Sequence, residues 1–303
     1  MSVELARAVG PAGLDIAYER FGDPEWPAVL LVMGLGTQML GWPDGFCTAL
    51  AARGVHVIRF DNRDIGLSSH LADAPMPDVR AALLGDTSSA SYRLSDMAAD
   101  TVGLLDALGL DSAHLVGASM GGMIAQTAAI EHPDRVRSLT SIMSTTGDPS
   151  VGQATQRALE ALLSPPAATR EEAVERTVSI VRVIGSPGFE LDEADLRWRT
   201  GLAYDRANDP VGVGRQLVAI AASGDRTAAL RSLSVPALVL HGADDPLVGV
   251  SGGRATARAI PGAELVVFDG MGHHLSRELW AEMARYIGEL VERAEAGRAV
   301  RPR

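Results

Sequence analysis

The sequence predicts an α/β fold, a mostly parallel sheet flanked by helices on both faces and interrupted once by a helical insertion. Three observations predict it. Short runs rich in Val, Leu and Ile alternate with longer stretches of helical period. That alternation stops between about 145 and 225, where helical periods are broken by "SPP" and "GSPG". At 117–121 a single hydroxyl sits among glycines where a strand-like run turns helical.

In chain order, "GLDIAYERFG" (13–22) reads as a half-buried strand, expected antiparallel at one edge. "PAVLLVMG" (27–34), "GVHVIRFD" (54–61), "AHLVGAS" (113–119), "RVRSLTSIMS" (135–144), "VPALVLHG" (235–242) and "AELVVFDG" (263–270) read as strands buried on both faces. Between them, "GWPDGFCTALAARG", "LSDMAADTVGLLDALG", "MGGMIAQTAAIEHP" and "SGGRATARAIPG" carry apolar residues at helical spacing. This divides the chain into a core of 1–144 and 226–303 and an inserted helical cap of 145–225. The tail "AEAGRAVRPR" is expected to fray.

Composition narrows the chemistry. A net charge of −11 with scattered arginines supplies no basic face, so nucleic acid is not an expected partner. All 27 basic residues are Arg; with no Lys there is no Schiff base, no phosphate-loop lysine and no Ser–Lys dyad. The lone cysteine, Cys47, lies in an amphipathic helical pattern and reads as a buried, inert thiol. The N-terminus lacks a basic start followed by an apolar block, and no apolar run approaches the ~20 residues that span a bilayer. A soluble, cytoplasmic protein is expected, and the oligomeric state is left open, a homo-oligomer included.

Gly117-Ala118-Ser119-Met120-Gly121 fits G-x-S-x-G, in which the serine occupies a sharp strand-to-helix turn. Residues two positions to either side press together there, so only glycine fits, and the helix N-terminus is aimed at any oxyanion formed on the serine. Serine needs a base, and the base an orienting acid. "ADDPLV" puts Asp244 and Asp245 in a loop after one strand, and "MGHHLS" puts His273 and His274 in a loop after the next. Asp245 is the expected acid, since Pro246 fixes the backbone beside it, and Asp244 the structural alternative. His273, following the flexible "GMG", is the expected base, with His274 packed near the next helix. The backbone N–H groups of Leu35 and Met120 are the expected oxyanion donors, with Gly34 and Leu35 against the substrate. A metal site on His273, His274 and Glu278 lacks the usual ligand spacing, so no metal and no cofactor is expected.

These motifs, "GASMGG", "HGADDPLV" and "FDGMGHHL", in order and spacing, resemble the α/β-hydrolase family over nearly all of the chain outside the cap. The resemblance implies an α/β-hydrolase fold with Ser119, Asp245 and His273 as nucleophile, acid and base. "RFDNRDIGLSS" is similar to the family's loop after the fourth strand, with Arg63, Gly66 and Ser68 as structural turn residues. One departure is Met33-Gly34 where the family often has His-Gly, which leaves the backbone donor of Leu35 in place. "LLVMG", "LGWPD", "HVIRFDNRDIG" and "GMGH" resemble the aclacinomycin methylesterase-type branch. The implied partner is a small-molecule ester, cleaved through an acyl-enzyme. Two rivals share the scaffold: a cofactor-free perhydrolase or haloperoxidase on the same triad, and a catalytically silent small-molecule receptor. Trp198, Tyr204 and nearby Met residues are candidates either for a pocket wall or for the core of the cap.

Overall fold

The computed structural model describes residues 2–299. Eight strands form one sheet: β1 (Glu4–Val9), β2 (Leu14–Phe21), β3 (Ala28–Val32), β4 (His56–Phe60), β5 (Ala113–Ala118), β6 (Val136–Ile142), β7 (Ala237–Gly242) and β8 (Glu264–Phe268). Their spatial order is β1-β2-β4-β3-β5-β6-β7-β8. β2 runs antiparallel to both β1 and β4, and every other pairing is parallel. The strand expected at the edge is therefore second in the sheet, because β1 covers it. β8 ends the other side, and there Glu264 and Leu265 are exposed rather than doubly buried.

The continuous apolar runs follow from burial on two faces. Along β3, Leu30 and Val32 enter one core, while Val29 and Leu31 enter the other. The first core is closed by α3 (Leu94–Ala107), α4 (Met120–Glu131) and α10 (Val250–Ala259). The second is closed by α1 (Asp44–Ala51) and α11 (Trp280–Ala299), which pack on each other. Helix α11 continues through the stretch expected to fray as far as Ala299; 300–303 lie outside the described residues.

α2 (Val79–Leu83) precedes α3, and five helices lie between β6 and β7: α5 (Gln156–Leu162), α6 (Arg170–Ile184), α7 (Glu193–Arg206), α8 (Pro210–Ser223) and α9 (Thr227–Leu230). α5 stops before Pro165-Pro166, and α6 before Gly185-Ser186-Pro187-Gly188, as the breaks in period require. A capping box of Thr169 and Glu172 starts α6, and Asp209 with Pro210 starts α8.

The strand order reverses at β3, which sends the chain to β4 on one side and to β5 on the other. A crevice opens at such a switch point, outside the carboxyl ends of the strands. The loops after β3, β5, β7 and β8 meet there.

Candidate active site

Ser119 is the N-cap of α4 and holds φ at +56°, a left-handed conformation that is strained for a residue with a side chain. The elbow is tight. A Cβ on Gly117 would lie 2.1 Å from the Gly121 carbonyl oxygen, and one on Gly121 would lie 2.0 Å from that of Val32. Ser119 N–H donates to the Ile142 carbonyl at 2.9 Å, and the Ser144 hydroxyl donates to the Ser119 carbonyl at 2.8 Å. These bonds lock the backbone and leave the hydroxyl half-buried at the rim.

Asp245 and His273 arrive from the loops after β7 and β8. Asp245 Oδ1 accepts from the N–H groups of Leu247 (2.9 Å) and Val248 (2.8 Å), which fixes the carboxylate and directs Oδ2 outward. Oδ2 lies 2.7 Å from His273 Nδ1, and His273 Nε2 lies 3.0 Å from Ser119 Oγ. A carboxylate only accepts, so Nδ1 carries the proton and Nε2 presents its lone pair to the serine hydroxyl. The neighbouring Asp244 turns the other way and accepts from Gly270 N–H at 2.9 Å, bracing the histidine loop. His274 is half-buried; burial first, then the charges of Arg199 and His273, push its imidazole down to about 4.

Gly34 lies against the serine: a Cβ there would come 3.1 Å from Ser119 Cβ and 3.7 Å from its Oγ. The loop that carries Leu35 thus closes over the Ser119 hydroxyl. Asn62 Nδ2 donates to the Met33 carbonyl at 2.9 Å and fixes the loop's entry. Among the described residues, the N–H groups of Leu35 and Met120 donate to no acceptor, whereas Gly36 N–H donates to Gln216 Oε1 at 3.0 Å.

Several side chains that steady these loops carry no sequence signal. Gln216 joins α8 to the loop after β3 and also donates to the Arg63 carbonyl at 2.9 Å. His241 is buried behind Asp245, and its Nε2–H donates to the Val248 carbonyl at 2.7 Å. Burial, only partly offset by that bond and by Asp245, pushes its imidazole below its ordinary value. The turn residues read from sequence do serve as such. Arg63 forms a buried bidentate pair with Asp100 (2.6 and 2.7 Å), and Ser68 donates to the Asp61 carbonyl at 2.6 Å. Gly66, at φ +60°, leaves room for the Asp61 carboxylate.

Trp198 corrects an expectation. At 65% exposed it does not belong to the interior of the inserted helices. Tyr204 reaches back to the Ala168 carbonyl at 3.2 Å, within the insertion. Asp64, His70 and Asp209 bring potential ligand atoms together. Both Asp64 oxygens accept from Arg215 at 2.9 Å and His70 faces Asp209 at 2.7 Å, so the cluster is an ion-pair network between the loop after β4 and α8.

A sheet of this order, with a strained serine at the switch point and an acid and a histidine on the loops after β7 and β8, defines the α/β hydrolases. Residues 27–278 match the family described as alpha/beta hydrolase fold, and the chain belongs to it. Among curated relatives it is 32% identical over 291 residues to rhodomycin D methylesterase DauP from Streptomyces sp. (strain C5), covering 89% of this chain and 92% of that one. The same figures hold for rhodomycin D methylesterase DnrP from Streptomyces peucetius. Among solved structures, a hydrolase from Pseudomonas aeruginosa is similar with a TM-score of 0.69 at 24% identity, covering 97% and 98% of the two chains. A putative aryl esterase from Burkholderia cenocepacia reaches a TM-score of 0.75 at 18% identity, covering 97% and 100%. These two likenesses concern the fold alone. Among the described residues, no helix is long and apolar enough to cross a membrane.

Proposed function

We propose that this chain is a carboxylic-ester hydrolase working through an acyl-enzyme, with Ser119 as nucleophile, His273 as base and acid, and Asp245 as orienting acid. One observation carries the reading: the unbroken run of hydrogen bonds from Asp245 Oδ2 through His273 (2.7 Å) to Ser119 Oγ (3.0 Å).

In this reading His273 Nε2 takes the serine proton as Oγ attacks the ester carbonyl. The oxyanion is met by the N–H groups of Leu35 and Met120, which have no other acceptor among the described residues and so cost little to redirect. His273 then protonates the leaving alcohol, and the same nitrogen activates a water that releases the acid. Asp245 holds the tautomer and stabilises the imidazolium without taking its proton. Each proton removed is returned within the cycle, so the chemistry calls for no cofactor. The insertion over 145–225 acts as the cap that selects substrate. The relatives' activity supports a methyl ester on a polyketide-like molecule, with methanol as the leaving alcohol.

Replacing Ser119 with Ala is expected to lower turnover of p-nitrophenyl esters by ~10⁶, and a fluorophosphonate is expected to label Ser119 alone. Near-parental hydrolysis by the Ala variant would remove the proposal. A panel of methyl, ethyl and aryl esters with methanol detection then tests the leaving group.

A further inference from the structure

The turn between α6 and α7 contains the "GSPG" that breaks the helical period, and it lies directly on the histidine loop. His273 N–H donates to the Ile184 carbonyl at 2.7 Å, and Gly188 N–H donates to the Gly270 carbonyl at 2.9 Å. Ser186 bridges the loop on either side of the imidazole. Its hydroxyl oxygen accepts from Gly272 N–H at 3.0 Å, and its hydroxyl hydrogen points to the His274 carbonyl at 3.3 Å. The two backbones are in contact: a Cβ on Gly188 would lie 2.6 Å from Gly270 Cα, and one on Gly272 would lie 2.0 Å from the Gly185 carbonyl oxygen.

The core also holds this loop, through Asp244 Oδ2 on Gly270 N–H and Asp244 N–H on the Met271 carbonyl (3.0 Å). Those backbone holds stop at Met271, and past it the core reaches the ring itself, through Asp245 Oδ2 on His273 Nδ1 at 2.7 Å. Beyond Met271, the N–H groups of Gly272 and His273 are both answered from the inserted segment. A Gly-Met-Gly stretch has wide backbone freedom, so its core anchor alone does not set where the next imidazole points. A base must be held to within a fraction of an ångström of its productive position, and ~1 Å of displacement costs on the order of 10²-fold in rate. Pro187 stiffens the turn that supplies the remaining ties.

We infer that the α6–α7 turn is part of the catalytic apparatus as a positioning element, with Ser186 the positioning residue that aims His273 at Ser119. The inference rests on His273 being the base. The insertion then does more than cover the crevice: without this turn seated on the loop, the imidazole loses its register.

The test compares Ser186→Ala and Ser186→Thr in the full-length protein on p-nitrophenyl butyrate. The Ala variant is expected to lose about ten-fold in kcat with KM within two-fold and an almost unchanged melting temperature, because the side chain is half-buried and small. Its rate of fluorophosphonate labelling should fall in proportion. Thr keeps the hydroxyl and is expected to recover most of the loss. An Ala variant with kcat within two-fold of the parent, a loss confined to KM, or a Thr variant as impaired as Ala would each overturn the inference. Ser119→Ala is assayed alongside. If it stays active the underlying triad reading fails, whereas an inactive Ser119→Ala with a fully active Ser186→Ala refutes the positioning role alone.

Discussion

Asp245→Asn separates charge from shape at the acid. The two carboxyl oxygens have unequal neighbours: Oδ1 accepts two backbone N–H groups at 2.9 and 2.8 Å, and Oδ2 faces His273 Nδ1 at 2.7 Å. An Asn amide has one oxygen and one NH₂, and two N–H donors cannot point at an NH₂. Its oxygen must therefore take the Oδ1 place, which puts the NH₂ against His273. Nδ1 is then forced to accept, the ring proton moves to Nε2, and the nitrogen facing Ser119 Oγ can no longer take the serine proton. The variant should stay folded, since the backbone donors keep their acceptor, and lose about 10⁴ in kcat, equivalent to roughly 5.5 kcal/mol of activation free energy.

The assay is steady-state hydrolysis of p-nitrophenyl acetate and butyrate, with circular dichroism and melting curves on the same preparations. A fluorophosphonate titration counts competent sites, so that a small active fraction is not read as a slow enzyme. An Asn variant within ten-fold of the parent, beside an inactive Ser119→Ala, would refute the tautomer argument.

Gly121→Ala should fail to give soluble protein, because its Cβ would stand 2.0 Å from the Val32 carbonyl oxygen, a backbone atom that cannot step aside; a cost above about 4 kcal/mol follows. Gly297→Ala is the control: nothing lies within 4 Å, and up to about 1 kcal/mol of helix stabilisation should appear as a raised melting temperature. Cys47 is fully buried, and burial foremost pushes its thiol up to about 12, so a disulfide reagent should react with it only after denaturation. For His70, burial works against the charge but is outweighed by the Gly66 carbonyl and the Asp209 and Asp64 carboxylates, which hold the imidazolium above its ordinary value of 6.5. A raised folded value stabilises fully below 6.5 and is lost as pH rises through that folded value. Asp209→Asn keeps the α8 cap and removes the charge, so it should melt about 2 °C below the parent at pH 5.5, with the gap narrowing in alkaline buffer to the part owed to Arg215, 3.7 Å from Asp209.

What was legible in the sequence is what a local pattern can encode. The six strands β3 to β8 fall where the apolar runs place them, and Ser119 sits where the glycines require a sharp turn, because both constraints act within a few residues. The loop positions of Asp245 and His273 follow from strand order alone, and the choice between paired residues turned on local stiffness. β1 carries no clear signal because it is an edge strand burying only Ala6 and Val9, while Leu5 and Ala8 are exposed beside Arg7, so its apolar period is faint. Its absence from the reading is also why β2 was expected at the edge. Trp198 misled because hydrophobicity says what a side chain gains from burial, not whether anything covers it. Gln216, Ser186 and His241 were invisible for another reason. Gln216 and Ser186 matter through partners brought near only by the fold, 180 residues away for Gln216 and Gly36 and 86 for Ser186 and Gly272, while His241 matters through a loop that folds back on it from Val248.

The inserted segment ties to three of the four loops of the rim. Thr155 N–H donates to the Pro246 carbonyl at 2.8 Å beside the acid, the α6–α7 turn holds the histidine loop, and Gln216 holds the loop of Leu35. The two ends of the insertion are pinned together by Arg226, whose N–H donates to Thr146 O at 2.9 Å and whose Nη2 donates to Thr145 O at 3.0 Å. These ties differ in strength. α8 is joined to the core by the buried bidentate pair of Arg215 and Asp64, where loss of one partner leaves an uncompensated charge at about 3–5 kcal/mol. α6 is joined by backbone and hydroxyl bonds worth about 1 kcal/mol each. α6 packs on α5 and α7, whereas α7 is itself tied to the core by Arg206 on the buried Asp61 carboxylate (2.9 Å) and by Gln38 on the Ala203 carbonyl (2.7 Å), so α6 is the helix that can lift while α7 and α8 stay seated. Amide hydrogen exchange should therefore open α6 before α7 and α8, and Arg215→Met should bring the α8 amides forward to exchange with those of α6. Uniform exchange across all three helices in the parent would show that the buried pair does not hold α8 apart.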